Sequence, residues 1–61
     1  MNIEELKLEL ERTYRVLFPD QADMQNHCDI CGWRDSNIIS NNEAKELFRY
    51  NRELYKQHVW Q

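Results

Sequence analysis

Residues 26–36, NHCDICGWRDS, hold both cysteines of the chain, Cys28 and Cys31, its only glycine, Gly32, and His27 and Trp33 from its two histidines and two tryptophans. Two residues separate the cysteines, the spacing at which a tight turn lets a thiolate pair clasp one tetrahedral zinc ion. Gly32 directly follows, where such a knuckle commonly needs a residue free to take positive φ. A structural zinc requires four ligands, and this motif supplies two. The remaining candidates are His27 and His58, with oxygen available from Asp23, Asp29 and Asp35. His27 adjoins Cys28, an awkward position for a second ligand, and His58 lies 27 residues beyond Cys31. A second copy of the chain is the other solution, since two C-x-x-C pairs complete a four-thiolate site in a dimer. Two readings without zinc stay open beside these: a reduced, partly buried pair, and a redox pair, which would need a helix N-terminus to stabilise its thiolate.

The elements that must position this stretch are legible on either side of it. Asn2 is a suitable N-cap, with Glu5 three residues on. Ile3, Leu6, Leu10, Tyr14 and Leu17 then recur at spacings of three and four, so one face of a helix over about 3–17 is apolar. Glu11 and Arg15 make an i,i+4 pair on its solvated side. Pro19 stops the helix, because the residue before a proline is pushed out of the helical region. A second start signal, SNNE, sets Ser40 as N-cap and Glu43 as its reciprocal partner. Ala44, Leu47, Phe48, Leu54, Tyr55 and His58 share a face of a helix over about 41–59, with Asn51 as a polar interruption.

The residues between, about 18–39, show no helical period and read as a long loop. The expected architecture is therefore all-α: a single domain over 1–61, built as a two-helix antiparallel hairpin with a long central cysteine-containing loop that forms either a zinc knuckle or a metal-free cysteine turn. A chain of 61 residues buries little apolar surface by itself, so a metal or a homodimer is expected to support it. Ile3, Leu6, Leu10, Thr13 and Leu17 would suit packing of two hairpins into a four-helix bundle.

CDICGWRD followed by NNEAKELF resembles the second half of the cysteine-rich CPCC domain family, in which C-x-x-C, an aromatic and an acidic residue precede a short helix start. The matching positions are Cys28, Cys31, Trp33, Asp35, Asn42, Ala44 and Phe48, within two stretches of eight residues each. The family's first cysteine cluster has no counterpart, and a helix stands in its place. The resemblance implies zinc binding and no particular activity.

Charge and composition narrow the function classes. The net charge is −3, divided into −4 over residues 1–35 and +1 over the rest. Lys45, Arg49, Arg52 and Lys56 follow spacings of four, three and four and form a basic stripe beside the apolar face of the last helix, able to follow phosphates. Leu8, Val16 and Trp60 fall off the apolar faces and, with Trp33, are candidates for a protein-binding surface. The longest purely apolar run is three residues, Val16–Leu17–Phe18, which excludes a membrane span. There is no phosphate-cradling glycine loop, nucleophile elbow or H-E-x-x-H. Two cysteines do not make the disulfide framework of a secreted domain. The expectation is a cytoplasmic, non-catalytic regulator or inhibitor of another protein, of the accessory type found in bacteria or phages. A nucleic-acid module using the basic stripe is the alternative.

Overall fold

The computed structural model describes residues 2–60, which form three helices: α1 Ile3–Val16, α2 Pro19–Asp35 and α3 Asn41–Val59. Their directions alternate. Lys7 of α1 meets Glu46 of α3 at 3.0 Å, whereas Tyr14 and His58 stack with ring centroids 5.0 Å apart, so α1 and α3 run parallel. The Tyr55 hydroxyl donates to Asp20 at 2.6 Å, which sets α2 antiparallel to α3. The result is an up-down-up bundle measuring 34 × 16 × 15 Å.

Both start signals act as caps. The Asn2 side chain accepts from the Glu4 N–H at 2.9 Å, satisfying one of the amides that the first turn leaves without a partner. Ser40 and Glu43 form the reciprocal box: the Glu43 N–H donates to Ser40 Oγ at 3.1 Å and the Ser40 N–H to the Glu43 carboxylate at 2.8 Å.

The expected two-helix hairpin with a central loop is overturned by α2, a helix of 17 residues in the segment read as loop. Pro19 does leave Phe18, the residue before it, extended, but it also occupies the first turn of the next helix, where its fixed φ is preorganised and its missing N–H is no loss. The inward face of α2 carries Ala22, Asn26 and Ile30 at four-residue spacing. Only one of these three is a large apolar residue, so hydrophobic periodicity could not reveal the helix. Its end is a Schellman motif: the Ile38 N–H donates to Trp33 O at 2.9 Å and the Asn37 N–H to Arg34 O at 3.0 Å. Asn37 supplies the left-handed residue, with φ 61°, a conformation that asparagine tolerates better than most residues.

Leu6, Leu10 and Tyr14 of α1, Ala22 and Ile30 of α2, Ile39, and Ala44, Leu47 and Leu54 of α3 make one core, with Ile3, Trp33, Phe48, Tyr50 and Tyr55 packed at its edge. The apolar face of α1, assigned above to a second hairpin, is thus covered within the chain. A third helix supplies the surface that a four-helix dimer would have provided. The Glu11–Arg15 pair is also replaced, because Glu11 instead accepts the hydroxyl of Tyr50 across the α1–α3 contact.

Two asparagines are fully buried among these apolar groups, Asn26 on α2 and Asn51 on α3. Asn26 donates to Leu10 O at 3.1 Å and to Asn51 Oδ1 at 2.9 Å, and Asn51 donates onward to Asp23 at 2.8 Å. Every partner of Asn26 Nδ2 is an acceptor, which fixes the orientation of its amide. Its Oδ1 is buried with no hydrogen-bond partner among the described residues.

Gly32 does not turn the chain. It lies inside α2 without positive φ, and a Cβ added there would meet nothing within 4 Å. Gly32→Ala is therefore expected to stabilise the fold by about 1 kcal/mol, the helix-propensity difference at an open site. A raised urea midpoint at unchanged slope would show it; an unchanged or lowered midpoint would refute it.

Candidate interaction surface

The cysteine stretch loses the geometry of a knuckle once α2 forms. Cys28 and Cys31 lie one turn apart on a continuous helix, Cys28 exposed and Cys31 half-buried, both as free thiols. The two histidines named as further ligands diverge. His27 packs against Phe48 with ring centroids 4.9 Å apart, midway along the bundle, while His58 stacks on Tyr14 near its end. Among the described residues no group of three or more His, Cys, Asp or Glu is placed to hold a metal ion. Nor do the cysteines stand at the N-terminus of α2, the position that the redox reading requires. The helix carries each side chain where its turn dictates, and that removes the convergence a loop would have allowed.

The four candidate partner-binding residues separate in the same way. Trp33 is half-buried and packs against the core, while Leu8 stands alone on the outer side of α1. Val16 and Trp60 come to the same end of the bundle, because the C-termini of α1 and α3 lie together there. The α1–α2 corner brings Leu17 and Phe18 to this end, and the last turn of α3 brings Val59. Phe18 is 78% exposed, Trp60 82% and Val16 74%, with Leu17 and Val59 less so. Sequence reasoning missed Phe18, Leu17 and Val59; the apolar run ahead of Pro19 was the available signal for the first two, and none was available for Val59.

The basic stripe takes the exposed side of α3, and at Arg49 and Arg52 it borders Phe48 and Tyr55 at the edge of the apolar face. Lys45, Arg49, Arg52 and Lys56 are all exposed there, and Lys56 is engaged by Glu53 at 3.5 Å. Along one edge of the stripe runs a groove of about 550 Å³ between α2 and α3, lined by Asp23, His27, Phe48, Arg49, Arg52 and Tyr55. No family model, curated protein or solved structure matches this chain. No helix is long and apolar enough to cross a membrane, among the described residues.

The tyrosines between the helices carry a pH dependence. Burial, reinforced by the negative charge of Asp23, pushes the Tyr14 phenol up to about 12. The hydrogen bond to Glu11, with burial second, does the same to Tyr50, also to about 12. The hydrogen bond to Asp20 raises Tyr55 in the same direction. A folded-state value above the unfolded one means the folded chain holds the phenolic proton more tightly. This contribution is whole below the unfolded value near 10 and disappears as pH rises through the folded value near 12. Between those limits the wild-type denaturation midpoint is expected to fall more steeply than that of Tyr50→Phe. Equal slopes for the two proteins would contradict the assignment.

Proposed function

We propose that this chain is a small non-catalytic protein-binding regulator whose contact surface is the end of the bundle formed by Val16, Leu17, Phe18, Val59 and Trp60. One observation carries the reading. Of the eight large apolar side chains exposed among the described residues, these five lie at one end, while Leu8, Met24 and Ile38 are dispersed. Scattered exposed apolar residues are ordinary, but a gathered set is the usual mark of an interaction site. Phenylalanine and tryptophan suit this role, because a large rigid ring loses little conformational freedom on contact.

Panning a random-peptide display library against the intact protein tests the reading. Enriched peptides are expected to bind wild type and to lose at least about tenfold in affinity for the double variant Phe18→Ser, Trp60→Ser, equivalent to about 1.4 kcal/mol. Both side chains are largely solvated, so the variant should keep its fold, which circular dichroism checks. If nothing is enriched, or if the enriched peptides bind the variant equally well, the reading fails.

A further inference from the structure

Two guanidinium groups, those of Arg49 and Arg52, line the groove between α2 and α3. Lys7, Arg12, Arg34 and Lys56 each lie within 4.0 Å of a carboxylate, whereas Arg49 and Arg52, like Arg15 and Lys45, which do not line the groove, form no ion pair among the described residues. The acids nearest to them on α3 are directed elsewhere: Glu46 holds Lys7 at 3.0 Å and Glu53 holds Lys56 at 3.5 Å. Those on the facing helix already accept internal donors, Asp20 the Tyr55 hydroxyl at 2.6 Å and Asp23 the Asn51 amide at 2.8 Å. A chain of net charge −3 therefore leaves two guanidinium groups, one turn apart in the groove, without an ion-pair partner among the described residues, although Asp23 lines the same groove. Phe48 and His27 pack together beside them and give the groove an apolar floor.

The groove is continuous with the apolar end. Tyr55 and Val59 are one turn apart on the same side of α3, and Arg52 lies one turn below Tyr55; on α2, Asp20 in the first turn, two residues after Phe18, accepts the Tyr55 hydroxyl. We propose that the groove receives an acidic segment of the protein partner, its carboxylates paired with Arg49 and Arg52 and an adjoining apolar residue seated against the Phe18 and Trp60 end. This rests on the protein-binding reading above and adds the partner's chemistry to it. Guanidinium groups suit such a segment because each presents a planar fork that matches a carboxylate. The facing wall decides between carboxylates and a polyphosphate strand. Asp20 and Asp23 would repel a strand that carries a charge on every nucleotide, whereas a peptide can place uncharged residues opposite them.

Fluorescence anisotropy with three labelled probes tests the assignment: a short peptide with a Leu-Trp head and a Glu-rich tail, the same peptide with Gln for every Glu, and oligothymidylate. The acidic peptide is expected to bind best, and to weaken at least about tenfold in Arg49→Gln, Arg52→Gln, where two charge-assisted contacts are lost. Raising the salt to about 1 M, where screening acts over roughly 3 Å, should weaken it in the same direction, and Arg49→Lys, Arg52→Lys should recover part of the loss. Equal binding of the Glu and Gln peptides, or of wild type and the Gln double variant, overturns the acidic-segment assignment. If Phe18→Ser, Trp60→Ser still abolishes binding in that case, the protein-binding reading survives its failure. Tight oligothymidylate binding that is lost in the same arginine variant overturns it in favour of nucleic acid. Binding of none of the probes removes the assignment, and the display selection then judges the protein-binding reading separately.

Discussion

Asn51→Ala is expected to destabilise the bundle by about 3 kcal/mol, the sum of one buried and one part-buried hydrogen bond lost and the void left by the amide. The side chain is fully buried, and it joins the amide of Asn26 to the carboxylate of Asp23. Its removal strands the second Asn26 donor in a core where Asn26 Oδ1 already lacks a partner. It also takes the amide donor from a half-buried carboxylate. The desolvation of groups left behind, rather than the worth of the bonds themselves, makes the cost large. A domain of this length rarely has more than about 3–5 kcal/mol to lose, so the variant should be largely unfolded at room temperature. Trimethylamine oxide, which favours compact states, would bring it back into a measurable range. In a double-mutant cycle, Asn26→Ala with Asn51→Ala should cost clearly less than the two single changes added together, because each single change strands the other amide. Simple additivity, or a loss under about 1 kcal/mol for Asn51→Ala, would show that the pair does not act as one unit. Strong coupling would also imply a role in register, since only one alignment of α2 on α3 sets these amides opposite each other.

Leu47→Ala should cost about as much, roughly 2–5 kcal/mol, for an unrelated reason. Leu47 has no exposed surface and sits on α3 within the core that all three helices share. Deleting its three outer carbons removes their transfer energy and leaves a cavity that three short, capped helices cannot easily close. Leu8→Ala is the matching control, because that side chain is 58% exposed on the outer side of α1. Its change should stay within about 0.5 kcal/mol. Urea denaturation of the two variants separates them. Similar midpoints would mean that the packing of α1 and α3 is looser than the burial of Leu47 implies.

How far the fold was legible follows from where its signals lie. α1 and α3 announce themselves because their start signals and their apolar stripes are both local: Asn2 and Ser40 cap, and Leu6–Leu10–Tyr14 and Ala44–Leu47–Leu54 repeat with the helical period. α2 does not. Its inward stripe passes through an asparagine whose burial makes sense only when Asn51 and the Leu10 carbonyl stand against it. Its glycine suggests a break, and its stop signal is an asparagine rather than the commoner glycine. Each of these pointed locally toward loop, and each was overridden by contacts distant in sequence.

The candidate site divides in the same manner. The types of its residues were visible, including the arginines at 49 and 52, the tryptophan at 60 and the cysteine pair. Their grouping was not. His27 and His58 are separated because helical geometry fixes each side chain to its own turn, and Trp33 is drawn to the core edge by the same helix that carries Cys28 and Cys31. By itself the sequence determined where two helices begin, which of their faces turn inward and that the charges are divided along the chain, since caps and periodicity act over three or four residues. Tertiary structure alone decided that the middle segment is a helix, that Asn26 meets Asn51, and that five apolar side chains from two corners share one end. Those outcomes depend on burial, and burial exists only once the three helices have packed.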